Sequence, residues 1–307
     1  MPRVAVAQIR PVHLNLAQTL TRIEDAVREA ARGGAEMIAL GESALPGYPA
    51  WLDHTSNVAR WDHPPTKKVF ARLRANSLTI PGPEATALSA LAKELGVVLV
   101  VGAHERVDGG PGHGTLYNVL LAWNESGELA IHHRKLVPTY TERLLWGPGD
   151  AAGLHSVKTK VGRVSGLICW EHWMPLARQA LHDGGEDIHV AVWPTANDAH
   201  HLASRHYAFE GRCFVLVAGT IMRGDDLPAE FRSDTALADD DFCLRGGSAI
   251  IGPTGEYVAQ PVYDEETILY ADLDLRRLDE ERMTLDVTGH YARPDVLRLD
   301  VDRRRGN

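Results

Sequence analysis

Cys169 closes the apolar run "VGRVSGLIC" and is followed at once by Trp170, Glu171, His172 and Trp173. A free thiol with a pKa of about 8.5 is only a few per cent thiolate at neutral pH, so a nucleophilic cysteine needs a base or a cation beside it. Glu42, directly after "MIAL", supplies a carboxylate, and Lys135, ending "HHRK", supplies an ammonium. Glu142 lies seven residues beyond Lys135 in a loop-like passage rich in proline and glycine. Each residue alone has an ordinary reading. A cysteine at a strand end is commonly a packed core thiol, and a single lysine or glutamate is commonly a surface charge. Only their joint occurrence points to nucleophilic catalysis.

The elements that must position these groups follow from hydrophobic periodicity. "VAVAQI" reads as a strand, and from Asn15 onward Leu16, Leu20, Ile23, Val27 and Ala30 recur at helical spacing until Gly33 and Gly34. "MIALGE" reads as a strand, followed by a long loop, a helix over 84–95 ended by Gly96, and the strand "VVLVVGA". Two strands joined through "NESGE" form a hairpin that ends near Lys135. The second half repeats this alternation: strands at 161–169 and 188–194, helices after Met174 and over 200–212, then "FVLVAGT", "GGSAIIGP", "TILYADLD" and a short charged helix. Alternating strands and helices define an α/β protein, and Glu42 and Cys169 both fall at the carboxyl ends of strands, where crevices form. No linker separates the halves, so residues 1–307 are read as one domain.

Bulk properties exclude several classes. The 307 residues carry a net charge of −9 without a long basic block, which argues against nucleic acid. The longest apolar stretch is far short of the roughly 20 residues of a membrane helix, and Gln8 and Arg10 interrupt any secretory signal. Three cysteines, odd in number and widely spaced, predict reduced thiols and a cytoplasmic protein. The 15 histidines form neither an HExxH nor a related motif, so no metal is expected. "GGPGHG" precedes a strand instead of a helix and reads as a turn, not a phosphate loop.

Taken together, "ALGESALPGYPAW" around Glu42, "HHRKLVPTYTERLLWGPGD" around Lys135 and "GLICWEHWMPLAR" around Cys169 resemble the nitrilase superfamily of carbon-nitrogen hydrolases, in the right order over nearly the whole chain. The Trp-Glu pair after the cysteine, the "ERLLWGPGD" loop and "GHYARPDV" are most similar to the nitrilase branch. The resemblance implies a four-layer αββα sandwich, self-association into a homodimer or higher oligomer, and no cofactor. It also implies hydrolysis of a nitrile by water, with Cys169 as nucleophile, Glu42 as general base, Lys135 stabilising charge on nitrogen with the Trp170 backbone N–H, and Glu142 positioning substrate or water. An amidase or carbamoylase using the same triad is the alternative, and a noncatalytic scaffold a more distant one. Tyr48, Trp51, Trp146, Trp173 and Trp193 are candidates for an aromatic pocket wall, with core or interface packing as the equal alternative. Many members of that branch carry a longer C-terminal extension associated with filaments, whereas this chain ends at "RLDVDRRRGN", so filaments are not expected. The acidic stretch 224–242 reads as a subunit contact or a lid.

Overall fold

The computed structural model describes residues 1–306 and contains two β-sheets stacked face to face, with helices on both outer sides. In the first sheet, β1 (Arg3–Gln8), β2 (Met37–Ala39) and β3 (Val98–Arg106) run parallel. The hairpin β4 (Leu116–Trp123) and β5 (Leu129–Arg134) extends it on one side. In the second, β6 (Val157–Thr159) flanks the parallel trio β7 (Gly162–Ile168), β8 (Ile188–Val192) and β9 (Phe214–Ala218). That sheet continues through β10 (Ile221–Arg223), β11 (Phe242–Ile251) and β12 (Tyr257–Tyr263). The late strand β13 (Thr267–Asp272) returns to the first sheet, antiparallel to β1.

Period-2 alternation explains the layering. Val4 and Val6 of β1, Met37 and Ala39 of β2 and Val98 and Val100 of β3 face the second sheet, whose Val164, Val190 and Leu216 meet them in a common core. The intervening Ala5, Ala7, Ile38 and Leu99 face outward against α1 (Leu16–Arg32) and α4 (Pro83–Leu95) through Ile23, Val27, Leu88 and Ala92. On the opposite side α5 (Pro175–His182) and α6 (Asp198–Gly211) cover the second sheet with Ala180, Leu181, Ala203 and Tyr207. Helix, sheet, sheet, helix is the expected four-layer order. Asn15 caps α1, its side chain accepting the Gln18 N–H at 3.1 Å.

The stretch between Glu42 and residue 84 departs from the expected loop. It holds a single helical turn, α2 (Trp51–His54), and a full helix, α3 (Pro64–Ala75). Two prolines in its first turn, where an unbonded N–H is missing anyway, disguise the latter, and only Val69 and Leu73 give it a buried stripe. Both pack into a third apolar cluster with Trp51, Met222, Leu227 and Phe231. The acidic stretch 224–242 is thereby tied down through Leu227 and Phe231, and Ser56 and Asp234 join by a backbone hydrogen bond at 2.9 Å. Strand β12 and the short β6 and β10 also lie beyond the elements that periodicity marks. Among the described residues no helix is long and apolar enough to cross a membrane.

Candidate active site

Strand ends deliver the reactive groups to one place. Glu42 lies three residues past β2, and its segment is stitched onto β3: Leu45 N–H donates to Gly102 O at 3.2 Å and His104 N–H to Leu45 O at 3.1 Å. Gly102 permits this, because a Cβ there would sit 2.3 Å from Gly41 O and 2.8 Å from Glu42 Cα. Lys135 directly follows β5, and Cys169 directly follows β7 in the facing sheet.

Lys135 Nζ lies 2.8 Å from Glu42 Oε1 and 2.7 Å from Glu142 Oε2, all three groups being buried. Asn118 Nδ2 donates to Glu42 Oε1 at 2.6 Å, while Glu42 Oε2 has no partner. Glu142 is saturated by contrast: beyond the ammonium, Oε1 accepts from Tyr48 OH at 2.8 Å and Oε2 from Thr139 N–H at 2.6 Å. Burial, reinforced by the Glu142 charge and only partly offset by Lys135, pushes Glu42 up to about 7. Burial opposes the Lys135 ammonium, but the negative charges of Glu42, Cys169 and Glu142 outweigh it and hold its pKa above the ordinary value. The Cys169 thiol is pushed up by burial and the Glu42 carboxylate, against the pull of Lys135 and the hydrogen bond from the Trp170 backbone.

Cys169 itself has φ 54°, a left-handed conformation costing a non-glycine residue about 1–3 kcal/mol. Its surroundings impose this turn. The Cys169 carbonyl can only accept, so His172 Nδ1–H donates to it, at 2.7 Å. Beyond it a buried chain continues from His172 Nε2 to His189 Nε2 at 3.0 Å and from His189 Nδ1 to Glu186 Oε2 at 2.9 Å. On the other flank, Glu171 accepts the Ile168 N–H at 2.7 Å.

A cavity of about 310 Å3 opens over this group, walled by Tyr48, Thr139, Glu142, Cys169, Trp170 and Cys243 among others. Glu42 and Lys135 are not among its walls but connect to it through Glu142, which is. A larger cavity of about 900 Å3 lies between α5 and the segment 287–300 and contains none of these four residues. The aromatic candidates divide. Tyr48 and Trp170 line the small cavity. Trp146 is buried behind it, edge-on to Tyr48 at 6.0 Å, with Lys135 Nζ 5.9 Å from its ring. Trp51 and Trp193 lie outside its lining: Trp51 stacks on Phe231 at 5.2 Å in the third apolar cluster, and Trp193 stacks on His172, the partner of the Cys169 carbonyl, at 4.8 Å. Trp173 is half-exposed and outside the cavity. Asn118 escaped the sequence reading although it is the polar interruption of the apolar strand "LYNVLLAW", a pattern that marks a buried hydrogen-bonding role.

The fold and site thus define an α/β sandwich protein in which a cysteine shares a cavity with a buried carboxylate–ammonium–carboxylate group. The carbon-nitrogen hydrolase family model matches residues 3–283. This chain belongs to that family, the nitrilase superfamily. It is 40% identical over 302 residues to the aliphatic nitrilase of Sinorhizobium fredii, covering 98% of this chain and 95% of that one. It is 36% identical over 303 residues to a bifunctional nitrilase/nitrile hydratase of Nicotiana tabacum, covering 97% and 85%. Among solved structures, a carbon-nitrogen hydrolase from Helicobacter pylori superposes with a TM-score of 0.72 at 20% identity, covering 96% of each chain. An amidase from Nesterenkonia sp. in complex with butyramide gives 0.63 at 19% identity, covering 92% and 95%. These last two likenesses concern the fold alone.

Proposed function

We propose that the protein is a nitrilase, converting an organic nitrile to its carboxylic acid and ammonia through covalent intermediates on Cys169. The observation carrying this reading is the Lys135 ammonium, held 2.8 Å from Glu42 and 2.7 Å from Glu142, the latter a wall of the cavity that also reaches Cys169. Glu42 takes the thiol proton, and the sulfur adds to the nitrile carbon while one C–N π bond becomes a lone pair on nitrogen. Lys135 and the Trp170 backbone N–H stabilise that developing charge; one such donor is worth about 3–4 kcal/mol. Glu42 returns the proton to nitrogen, giving a thioimidate. Water adds to its carbon, ammonia leaves with protons delivered through Glu42, and a thioester remains. A second water releases the acid and restores the thiol. Glu142 orients Lys135 and the incoming water.

The same groups would serve an amidase or carbamoylase, but the relatives at 36–40% identity are named for nitriles. A cavity of about 310 Å3, at the small end of ligand pockets, favours a compact nitrile. We read the whole chain as one catalytic domain, since the nucleophile follows a strand of one sheet and the base and ammonium follow strands of the other. Exposed Leu176, Leu202 and Phe209 on α5 and α6 support self-association.

Side-by-side ammonia release from a nitrile and its matching amide tests the reading. The nitrile is expected to be the faster substrate, and Cys169→Ala is expected to abolish both turnover and any covalent adduct seen by intact mass. Preferential turnover of the amide would reassign the enzyme to the amidases. Glu42→Gln and Lys135→Ala are each expected to give folded, nearly inactive protein.

A further inference from the structure

Glu171 lies two residues past the nucleophile and is 1% exposed. One oxygen, Oε2, accepts the backbone N–H of Ile168 at 2.7 Å; the other, Oε1, accepts the backbone N–H of Leu136 at 2.7 Å. Ile168 immediately precedes Cys169, and Leu136 immediately follows Lys135. The strands leading to these residues, β7 and β5, belong to different sheets. A single carboxylate therefore grips the backbone one residue from the nucleophile and one residue from the ammonium. His133, two residues before Lys135, closes the arrangement with Nε2 3.0 and 2.9 Å from the two oxygens, and its Nδ1 has no partner. Local capping of the turn after β7 would account for the Ile168 bond alone. It would not account for a bond to Leu136 or for a buried histidine committed to the same carboxylate.

We propose that Glu171 is a positioning residue that fixes the Cys169 turn against the Lys135 turn across the two sheets. The proposal rests on the assignment of those two residues as nucleophile and charge-stabilising cation. Burial alone would favour neutral Glu171, but His133 and the two backbone N–H groups keep it ionised and its pKa below the ordinary range. A carboxylate offers an acceptor on each oxygen. The isosteric amide offers one acceptor and one donor, so Glu171→Gln must set its –NH2 against one of the two backbone N–H groups and release that side of the grip.

The test is Glu171→Gln, assayed by ammonia release on whichever of the matched nitrile and amide the unmodified enzyme hydrolyses. A displacement of about 1 Å in a reacting group costs on the order of 100-fold in rate. The expected result is a folded protein that melts lower, since a buried N–H loses its acceptor, with kcat per folded molecule lower by roughly 30- to 100-fold and KM within about threefold, because Glu171 is not a wall of the cavity. Iodoacetamide should alkylate Cys169 more slowly in the variant. A folded variant with unchanged kcat overturns the proposal, as does a loss confined to KM or one that tracks reduced stability. Should Glu171→Gln fail to fold, His133→Gln carries the test, with kcat expected to fall at constant KM; an unchanged kcat there overturns the proposal. Alkylation needs no substrate. If the unmodified enzyme hydrolyses neither compound, the proposed function fails, while slowed alkylation still supports the positioning role and an unchanged rate rejects it.

Discussion

Two carboxylates and one ammonium leave one uncompensated negative charge in a buried space, and hydrogen bonding decides where a proton relieves it. Every oxygen of Glu142 already accepts from Lys135 and from a second donor, Tyr48 OH or the Thr139 N–H. Glu42 has a free Oε2, so it is the member of the pair able to hold and return a proton. With Glu42 raised to about 7, kcat/KM is expected to rise with pH through about 7 and to fall tenfold per pH unit below it. A pH–rate profile flat through that range would refute the assignment of Glu42 as base. The same shift has a thermodynamic consequence of opposite sign. A folded pKa above the ordinary carboxylate value of 4.5 means that the folded state binds the extra proton, so this contribution to stability is lost as pH rises through about 7. Glu42→Gln should accordingly melt higher than the unmodified protein at pH 8 while being nearly inactive; equal or lower melting would show that the ion pair with Lys135 outweighs the burial of charge. Glu42, Lys135, Glu142 and Cys169 were legible in the sequence because their types and flanking motifs are distinctive. Their partners were less so: a polar Asn118 in an apolar strand signals a buried hydrogen bond, but its acceptor is 76 residues away, and Glu171 reaches the Leu136 N–H 35 residues away, pairings that no local pattern names.

At the scale of elements, the site depends on how closely the Glu42 turn lies against β3. Gly102 sits under that turn, and a methyl group there would stand 2.3 Å from the Gly41 carbonyl, backbone against backbone, where no rotamer change relieves it. Overpacking of this kind costs about 1–3 kcal/mol. Gly102→Ala is expected to lower the melting temperature and to reduce kcat by more than the loss of folded protein explains, since the displaced segment carries Glu42, the proposed base. Activity proportional to the folded fraction would detach this strand from the placement of Glu42. The strands and helices of the central layers were readable because alternation and 3.6-residue periodicity are strong wherever an element is half-buried. The helix Pro64–Ala75 was not, because prolines open it and a two-residue stripe is all it buries. Strand β12 was hidden for a related reason: Pro261 and partial exposure along its length leave it without a fully buried apolar face, only Tyr257 and Ala259 packing on the core.

The molecule as a whole keeps the Glu42, Lys135, Glu142 and Cys169 group between the sheets and presents part of its exposed apolar surface on the helices behind one of them. Leu176 is 68% exposed and Leu202 65%, and Phe209, about two turns beyond Leu202 on the same face of α6, is 45% exposed. Beneath that helical layer the chain from His172 through His189 to Glu186 leads back to the carbonyl of Cys169. Covering the outer surface would therefore steady the layer on which the nucleophile's turn is built. A twofold interface is the simplest closed arrangement, because one patch then covers its own copy. Leu202→Glu places a charge where that apolar contact would form, while the folded monomer already exposes the position to water and should tolerate it. Light scattering is expected to give at least twice the mass of one chain for the unmodified protein and a single chain for the variant. If burial of this layer also holds the Cys169 turn, the monomeric variant should lose kcat although Leu202 does not touch the cavity. An unchanged mass for Leu202→Glu would place the interface elsewhere, and a monomer with full activity would separate assembly from catalysis.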